Sequence, residues 1–566
     1  MRTTCLLMFT ISLLSCSKDI DEISLNGEWK FLASNEVSKT EVLEADYTNW
    51  DVLNVPGNWD VQDPYAEYVG KGYYQRYIQI PQNWDGKQVR LKFEAVYQKT
   101  RVWLNEELLG SHIGGYTPFE FNITKKVEGG GIYSIVVEAD NSYKRGAWWA
   151  WGGISRNVSL VSNNSVRMVY QHLTAIPDFT NNQVDFSIKY KVENNSSEKQ
   201  SVDAKYSILG TSIEGVLTGD VEANNTGLLE ISFSKRLSDF KLWDFNQPNL
   251  YQIETSLYQK GELLDQEQDQ FGIRKLEVKG EQFFLNNQPV RMNGLNRIHD
   301  HPDFGNTEPY SLIKEDMLDI KSLGCNFARL MHAPLAENLL DFCDSIGFLI
   351  IEEIPVWGND DPNSFPDNPL TKKWMKEMIE RDFNHPSVVG WSVGNELRDS
   401  IPPWGEKLLT PTQYAYVNSM LDYVEDLDTT RLKTYVSNTA NGKTINKTNE
   451  PYSKVDFICF NSYWDAIESM ESIKKNLNGK PVFISEIGKG QIGPAPDAVL
   501  SDKLLEYLAK LKEYPFVVGV SLWSYNDYRS NYKGTPQSGF REWGIVDERR
   551  NRKAAYEQIK ELYQNW

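Results

Sequence analysis

The feature that most narrows the fold is a rhythm in the C-terminal half of the chain. Eight short apolar runs recur there: VRMNGLN (290–296), FARLM (327–331), FLIIEEIP (348–355), VVGWSVGNE (388–396), TYVSN (434–438), FICFNSY (457–463), PVFISEIG (481–488) and VGVSLWSYND (518–527). Their length and β-branched content read as buried strands. Amphipathic stretches such as SLIKEDMLDIKSLG (311–324) and WMKEMIERDF (374–383) lie between them and read as helices. Eight such units within residues 276–566 fit a closed (β/α)8 TIM barrel. An open doubly wound sheet would also alternate, but no glycine-rich nucleotide loop follows the first strand.

The chain before the barrel has another rhythm. Residues 22–162 carry alternating strands such as RYIQIP, QVRLKFEAV and YSIVVEAD, with frequent turn residues, as in an antiparallel β-sandwich. Residues 163–275 continue with VDFSIKYKV, AKYSIL and LYQIETSLY, a stretch of the size of an immunoglobulin-like β-sandwich. Residues 1–16, MRTTCLLMFTISLLSC, have one positive charge and an apolar run too short to span a bilayer, the pattern of a secretory signal. Its L-x-S-C ending resembles a bacterial lipoprotein signal. The expectation is lipidation at Cys16, hence a protein anchored to a bacterial envelope without spanning the membrane. A plain signal peptide cut nearby is the alternative.

Charge removes other classes. The net charge is −19, and no Lys/Arg cluster offers phosphate contacts, so nucleic acid is not an expected partner. The five Cys show no zinc spacing, and of the six His only His299 and His301 are close. No metal and no cofactor is expected. The 17 Trp and 29 Tyr suit a core, and also a ligand with flat apolar faces such as a sugar.

A barrel carries its chemistry at the C-terminal ends of its strands. Polar residues collect there: Asn296 and Asp300, Arg329 and His332, Glu352 and Glu353, Asn395 and Glu396, Asn461 and Tyr463, Glu486, then Trp523, Asn526 and Asp527. A single strand-end Glu is equally at home in a salt bridge or a helix cap. Two of them, at strands four and seven, face each other across the mouth. Opposed carboxylates in an aromatic cleft can cleave a glycosidic bond, one giving a proton to the leaving oxygen, the other attacking the anomeric carbon or activating water. A separation of about 5–5.5 Å means retention, and about 6.5–9.5 Å inversion. Trp148, Trp149 and Trp151 read first as a core or domain-interface cluster, with one of them bordering the site. Glu352 and Glu353 read as hydrogen-bond partners at the mouth.

NHPSVVGWSVGNE, followed 90 residues after Glu396 by the Glu486 of PVFISEIG, resembles glycoside hydrolase family 2, which holds β-galactosidases, β-glucuronidases and β-mannosidases. GEWKF, VPGNW, GYYQRYIQIP, GGYTPFEFNIT and WWAWGGISRNV resemble its jelly-roll sugar-binding domain, and NGLNRIHDHPDFG and NFARLMHAP its first two barrel strands. The resemblance implies a retaining exo-β-glycosidase acting on oligosaccharides or polysaccharides. Glu396 would be the acid/base and Glu486 the nucleophile. Asn395 would bind the sugar 2-hydroxyl, Tyr463 would hold Glu486, Arg329 and His332 would flank the sugar, and Trp523 would form its floor. Asp300 would reach a distal hydroxyl.

The sugar is less legible. Glucuronidases of the family grip the substrate carboxylate with an Asn-x-Lys pair just before the last GI strand. Here Asn531-Tyr532-Lys533 comes about ten residues early, and Arg541-Glu542-Trp543 stands in that place. Lys533, Arg529 and Arg541 are therefore the candidates for a uronate carboxylate, with β-galactoside the other substrate. The chain length is closer to glucuronidases than to large β-galactosidases. A β-mannosidase-type activity and a non-catalytic carbohydrate-binding lipoprotein are the competing readings. A homo-oligomer is compatible with the sequence.

Overall fold

The computed structural model describes residues 21–144, 146–330, 332–358, 368–398 and 408–564. The signal segment with Cys16 lies outside the described residues, so the lipidation expectation has no structural counterpart.

The N-terminal unit is a sandwich of two antiparallel sheets. The four-stranded sheet runs in the order Asp21–Ser24, Val158–Asn163, Gln88–Phe93, Phe119–Asn122. The six-stranded sheet is built on Lys71–Gln79 and Ile132–Asp140, which pair along their whole length. Trp29, Trp59, Leu91, Phe93, Val102 and Val137 fill the space between the sheets. The middle unit pairs a three-stranded sheet with a four-stranded one. In its strand Gln183–Asn194 every second residue, Val184, Phe186, Ile188, Tyr190 and Val192, is buried. That period of two is what one wet and one dry sheet face require.

The barrel has eight parallel strands in sequence order: Met292–Asn296 (β1), Phe327–Arg329 (β2), Leu349–Glu353 (β3), Val388–Asn395 (β4), Leu432–Ser437 (β5), Ile458–Ser462 (β6), Val482–Ile487 (β7) and Val517–Trp523 (β8). It closes because β1 pairs with both β2 and β8. Strands β1, β3, β4 and β7 are buried along their full length, which explains continuous apolar runs instead of alternation. Helices follow seven of the strands among the described residues: α1 (Tyr310–Ser322), α2 (Glu337–Ile346), α3 (Pro369–Asp382), α4 (Pro411–Leu427), α5 (Ala466–Asn476), α6 (Asp502–Leu511) and α7 (Ala554–Tyr563). After β5 the chain takes turns over residues 438–457 instead of a helix. This departs from eight complete β/α units, and the polar TANGKTINKTNE has no apolar face for a helix to bury.

A small sheet, Leu276–Lys279, Gln282–Leu285 and Gln288–Val290, packs Phe283 and Leu285 against Met292, Phe327, Leu349 and Phe483 at the strand starts. The N-terminal end of the barrel is thereby plugged. Polar groups at the other end face the opening.

Candidate active site

Arg329 is the hub of the barrel mouth. It ends β2, is fully buried, and donates from Nη1 to Glu486 Oε1 at 2.7 Å. From Nη2 it donates to Glu353 Oε1 at 2.9 Å and to Asn395 Oδ1 at 2.9 Å. A buried guanidinium needs such partners, because an unpaired charge here would be costly. His332 completes the group, with Nδ1 at 2.6 Å from Glu353 Oε1 and Nε2 at 3.3 Å from Asn395 Nδ2. Glu353 also accepts from the Ser392 hydroxyl at 2.7 Å. Burial pushes the Glu353 carboxyl up, but the Arg329 and His332 charges win and hold it at about 2. With its carboxyl held low, Glu353 orients Arg329 and His332. Glu352 faces away and accepts from the Leu335 amide at 3.0 Å. Glu353 matches the expectation of a hydrogen-bond partner at the mouth; Glu352 is a hydrogen-bond partner but on the other side of the strand.

Glu486 near the end of β7 receives Arg329 on one oxygen and the Tyr463 hydroxyl on the other. Burial is the largest influence on its carboxyl and raises it, with the Glu396 charge adding to the rise and Arg329, His332 and Tyr463 opposing it. Tyr463 is pushed well above the ordinary phenol value, first by burial and then by the charges of Glu486 and Glu396, so it acts as a donor.

Glu396 leaves the end of β4 with φ +54, the left-handed region that a side chain rarely adopts without cause. Gly394 two residues earlier has φ +151. This turn swings the carboxylate off the strand and over the cavity. Oε1 accepts from Asn461 Nδ2 at 3.1 Å and Oε2 from Arg398 at 3.1 Å. Asn461 is itself fixed by the Ser485 hydroxyl on its Oδ1 at 2.7 Å, and it also donates to Asn395 Oδ1 at 3.1 Å. A hydrogen-bonded chain therefore runs from Glu396 through Asn461, Asn395 and Arg329 to Glu486.

Both glutamates line one cavity of about 460 Å³. Its floor is Trp523, His332, Tyr528 and Trp148, with the Trp148 and His332 ring centroids 5.3 Å apart. Trp148 is delivered by the N-terminal unit, so one of the three clustered tryptophans does border the site. Trp149 and Trp151 instead pack on the Arg529 guanidinium, at 4.1 and 5.2 Å.

Three expectations change. Asp300 does not line the cavity; its carboxylate accepts from the Trp151 indole at 2.8 Å and the Arg529 amide at 3.1 Å, tying the barrel to the N-terminal unit. Burial, opposed by those bonds, pushes it up to about 6. Lys533 also misses the cavity. Tyr528 and Arg529 pair with Arg541 and Phe540 in a short hairpin, which returns Arg541 to the lining and leaves Lys533 exposed toward the tip. Asn531 is taken by Lys144 of the N-terminal unit at 2.5 Å. Arg529 is also out, its guanidinium donating to the Asp60 carbonyl at 3.2 Å and to Glu67 at 2.9 Å. Of the three uronate candidates, only Arg541 lines the cavity.

Arg398, Trp464, Lys489, Tyr532 and Trp543 also line it, and sequence reasoning assigned none of them a role. Proximity was the available signal: Arg398 follows Glu396 by two residues, Trp464 adjoins Tyr463, and Lys489 follows Glu486 by three. His299 and His301, close in sequence, take separate partners, Glu308 at 3.1 Å and the ring of Phe304.

Comparison with known proteins agrees with this architecture. The family model for the TIM barrel domain of glycosyl hydrolases family 2 matches residues 276–566, that for its sugar binding domain residues 23–164, and a third model of the family residues 169–274. A putative beta-glucuronidase of Formosa agariphila is 29% identical over 72% of this chain and 50% of its own length. A beta-galactosidase of Thermoanaerobacterium thermosulfurigenes is 30% identical over 67% of this chain and 54% of its own. The chain spans about half the length of these curated relatives. The crystal structure of a beta-galacturonidase from Eisenbergiella tayi bound to galacturonate is 26% identical, with a TM-score of 0.82 over 97% of this chain and 98% of that one. With all three of its units matched in order, the chain belongs to glycoside hydrolase family 2.

Proposed function

We propose that the protein is a retaining exo-β-glycosidase that removes a terminal β-linked hexuronic acid from an oligosaccharide. The observation that carries this reading is the pair of glutamates on one cavity, one clamped by Arg329 and Tyr463, the other turned over the opening beside Arg398. In the first step the Glu486 carboxylate attacks the anomeric carbon while Glu396 gives its proton to the glycosidic oxygen. The bond to the leaving group breaks with its electron pair on that oxygen, and a glycosyl ester forms on Glu486. In the second step Glu396, now a carboxylate, takes a proton from water. The water oxygen attacks the anomeric carbon and releases Glu486, so two inversions restore the β configuration.

The neighbours have matching tasks. Asn395 uses its carbonyl on Arg329 and Asn461 and one N–H of Nδ2 toward His332 Nε2, which leaves the second N–H of Nδ2 as the donor toward the sugar 2-hydroxyl. Trp523, with His332 and Trp148, forms the apolar floor under the ring. Arg541 supports the uronate reading, because it is the cation of the last loop that reaches the lining. The galacturonate-bound relative, matched over nearly its full length, supports the same sugar class.

The test is a panel of aryl β-galacturonide, β-glucuronide, β-galactoside and β-glucoside, which differ only at C4 and C6. Uronides are expected to turn over fastest. Arg541→Ala is expected to lower their kcat/KM by about 100-fold, the loss of one charge-assisted contact to a carboxylate, with little change for neutral sugars. Turnover of neutral hexosides alone would overturn the uronate assignment. The placement on the envelope through Cys16 is tested separately: Cys16→Ser should move the protein from the membrane to the soluble fraction, and a wild type already soluble contradicts it.

A further inference from the structure

The cavity does not end at the two glutamates. From a buried floor it opens outward to Trp464, which is 77% exposed, and Tyr532, which is 37% exposed. A tryptophan so bare at the rim of an active cavity leaves a large apolar ring in water. Sugars present flat apolar faces that stack on such rings. Beside it, the Lys489 ammonium donates to the Trp464 carbonyl at 2.7 Å, a neutral partner, and lies 5.9 Å from the Trp464 ring centroid. Arg398 is the third group, in contact with Glu396 Oε2 at 3.1 Å.

The position of Arg398 identifies the side of the site. A general acid must touch the glycosidic oxygen, so a group bonded to that acid and lining the same cavity flanks the leaving group. The lining carries Arg398, Lys489 and Arg541 against the carboxylates of Glu396 and Glu486, in a chain whose net charge is −19. Local excess of one sign in a cleft concentrates ligands of the other sign. Arg541, the cation proposed above for the uronate, lies over the Tyr532 ring at 5.6 Å and is not needed for this second anion.

We infer that Trp464, Lys489 and Arg398 form a leaving-group subsite for a sugar that carries a negative charge, a sulfate or a carboxylate. Trp464 stacks on the ring, and Lys489 and Arg398 take the anion. The substrate is then an acidic oligosaccharide charged on both sides of the cleaved bond. This rests on the glycosidase reading above and adds the chemistry of the second sugar.

The probes are a β-uronosyl disaccharide whose reducing sugar carries one sulfate, its unsulfated counterpart, and the aryl β-uronide. For the wild type, kcat/KM for the sulfated disaccharide is expected to exceed that for the unsulfated one about tenfold, and the ratio to fall as salt is raised. Lys489→Met should remove most of that ratio, Lys489→Arg should keep it, and Trp464→Ala should lower both disaccharides about fivefold relative to the aryl substrate. Equal rates on the two disaccharides, unchanged by Lys489→Met, overturn the subsite. Calorimetry on Glu486→Gln protein reads binding without turnover, and there Lys489→Met should weaken the sulfated disaccharide about tenfold. If aryl uronides are inert yet this binding difference persists, the glycosidase reading fails, and with it the leaving-group role, while binding of an anionic sugar at Lys489 stands. If turnover is present and the binding difference is absent, the subsite fails alone.

Discussion

The ends of β4 and β7 each deliver a glutamate to the same cavity, and they do so in opposite ways. The Glu486 side chain is 4% exposed, sits in the strand, and has a guanidinium on one oxygen and a phenol on the other. The Glu396 side chain is 13% exposed, hangs from a left-handed residue beyond its strand, and meets an amide and the side chain of Arg398. One carboxylate is fixed and surrounded by donors, as a nucleophile must be. The other is set beside the opening, where a leaving group departs and water enters. Under the proposed mechanism, identical residue types take different tasks from where the backbone puts them.

The contrast can be broken one side at a time. The largest effect is expected at Glu486. Replacement by Ala should lower kcat/KM by about 10⁴-fold or more on every substrate, and added azide should then give an α-linked glycosyl azide. Glu396→Ala should be selective. A poor leaving group should lose about 10³-fold and an activated aryl leaving group far less in the first step, with azide giving the β-linked product. Equal loss on all leaving groups contradicts the acid role.

A pH experiment sharpens the comparison at the Arg329 hub, which bonds Glu486 directly and reaches Glu396 only through Asn395 and Asn461. Glu353 is held at about 2 against an ordinary value of 4.5, so its folded-state pKa is depressed. Its contribution to stability is therefore present above about pH 4.5 and is lost as the pH falls toward 2. The stability gap between wild type and Glu353→Gln, measured by denaturant unfolding, should shrink over that window by an amount on the order of 3 kcal/mol. A gap independent of pH would show that Glu353 is not the anion of the hub. The smallest effect is expected from the N-terminal unit. Trp148→Phe keeps an aromatic against His332 and should raise KM about threefold with kcat nearly unchanged.

Legibility followed local chemistry. All eight barrel strands were readable because each is an apolar run closed by a polar residue, and Glu396, Glu486, Arg329 and Tyr463 came with those strands. The turns after β5 were also visible in principle, since TANGKTINKTNE offers no apolar stripe. The misreadings lie where a loop path decides the outcome. Lys533 and Arg541 are both cations, and only the pairing of Tyr528 with Arg541 sends one inward and the other toward an exposed tip. Asp300 has the residue type to hold a hydroxyl, yet Trp151 and the Arg529 amide occupy its oxygens, contacts with segments 149 and 229 residues away. The left-handed turn at Glu396 was not legible because it accompanies a register shift between β4 and β5 at Ser392 to Asn395, which no local residue pattern announces.

The stereochemistry of the first product tests the central claim most directly. Proton NMR of an aryl β-uronide during early hydrolysis distinguishes the anomers before they interconvert. Double displacement through Glu486 predicts that the β-hemiacetal forms first and the α anomer appears only by later mutarotation. Initial formation of the α anomer would mean a single displacement by water, and would contradict the assignment of Glu486 as nucleophile.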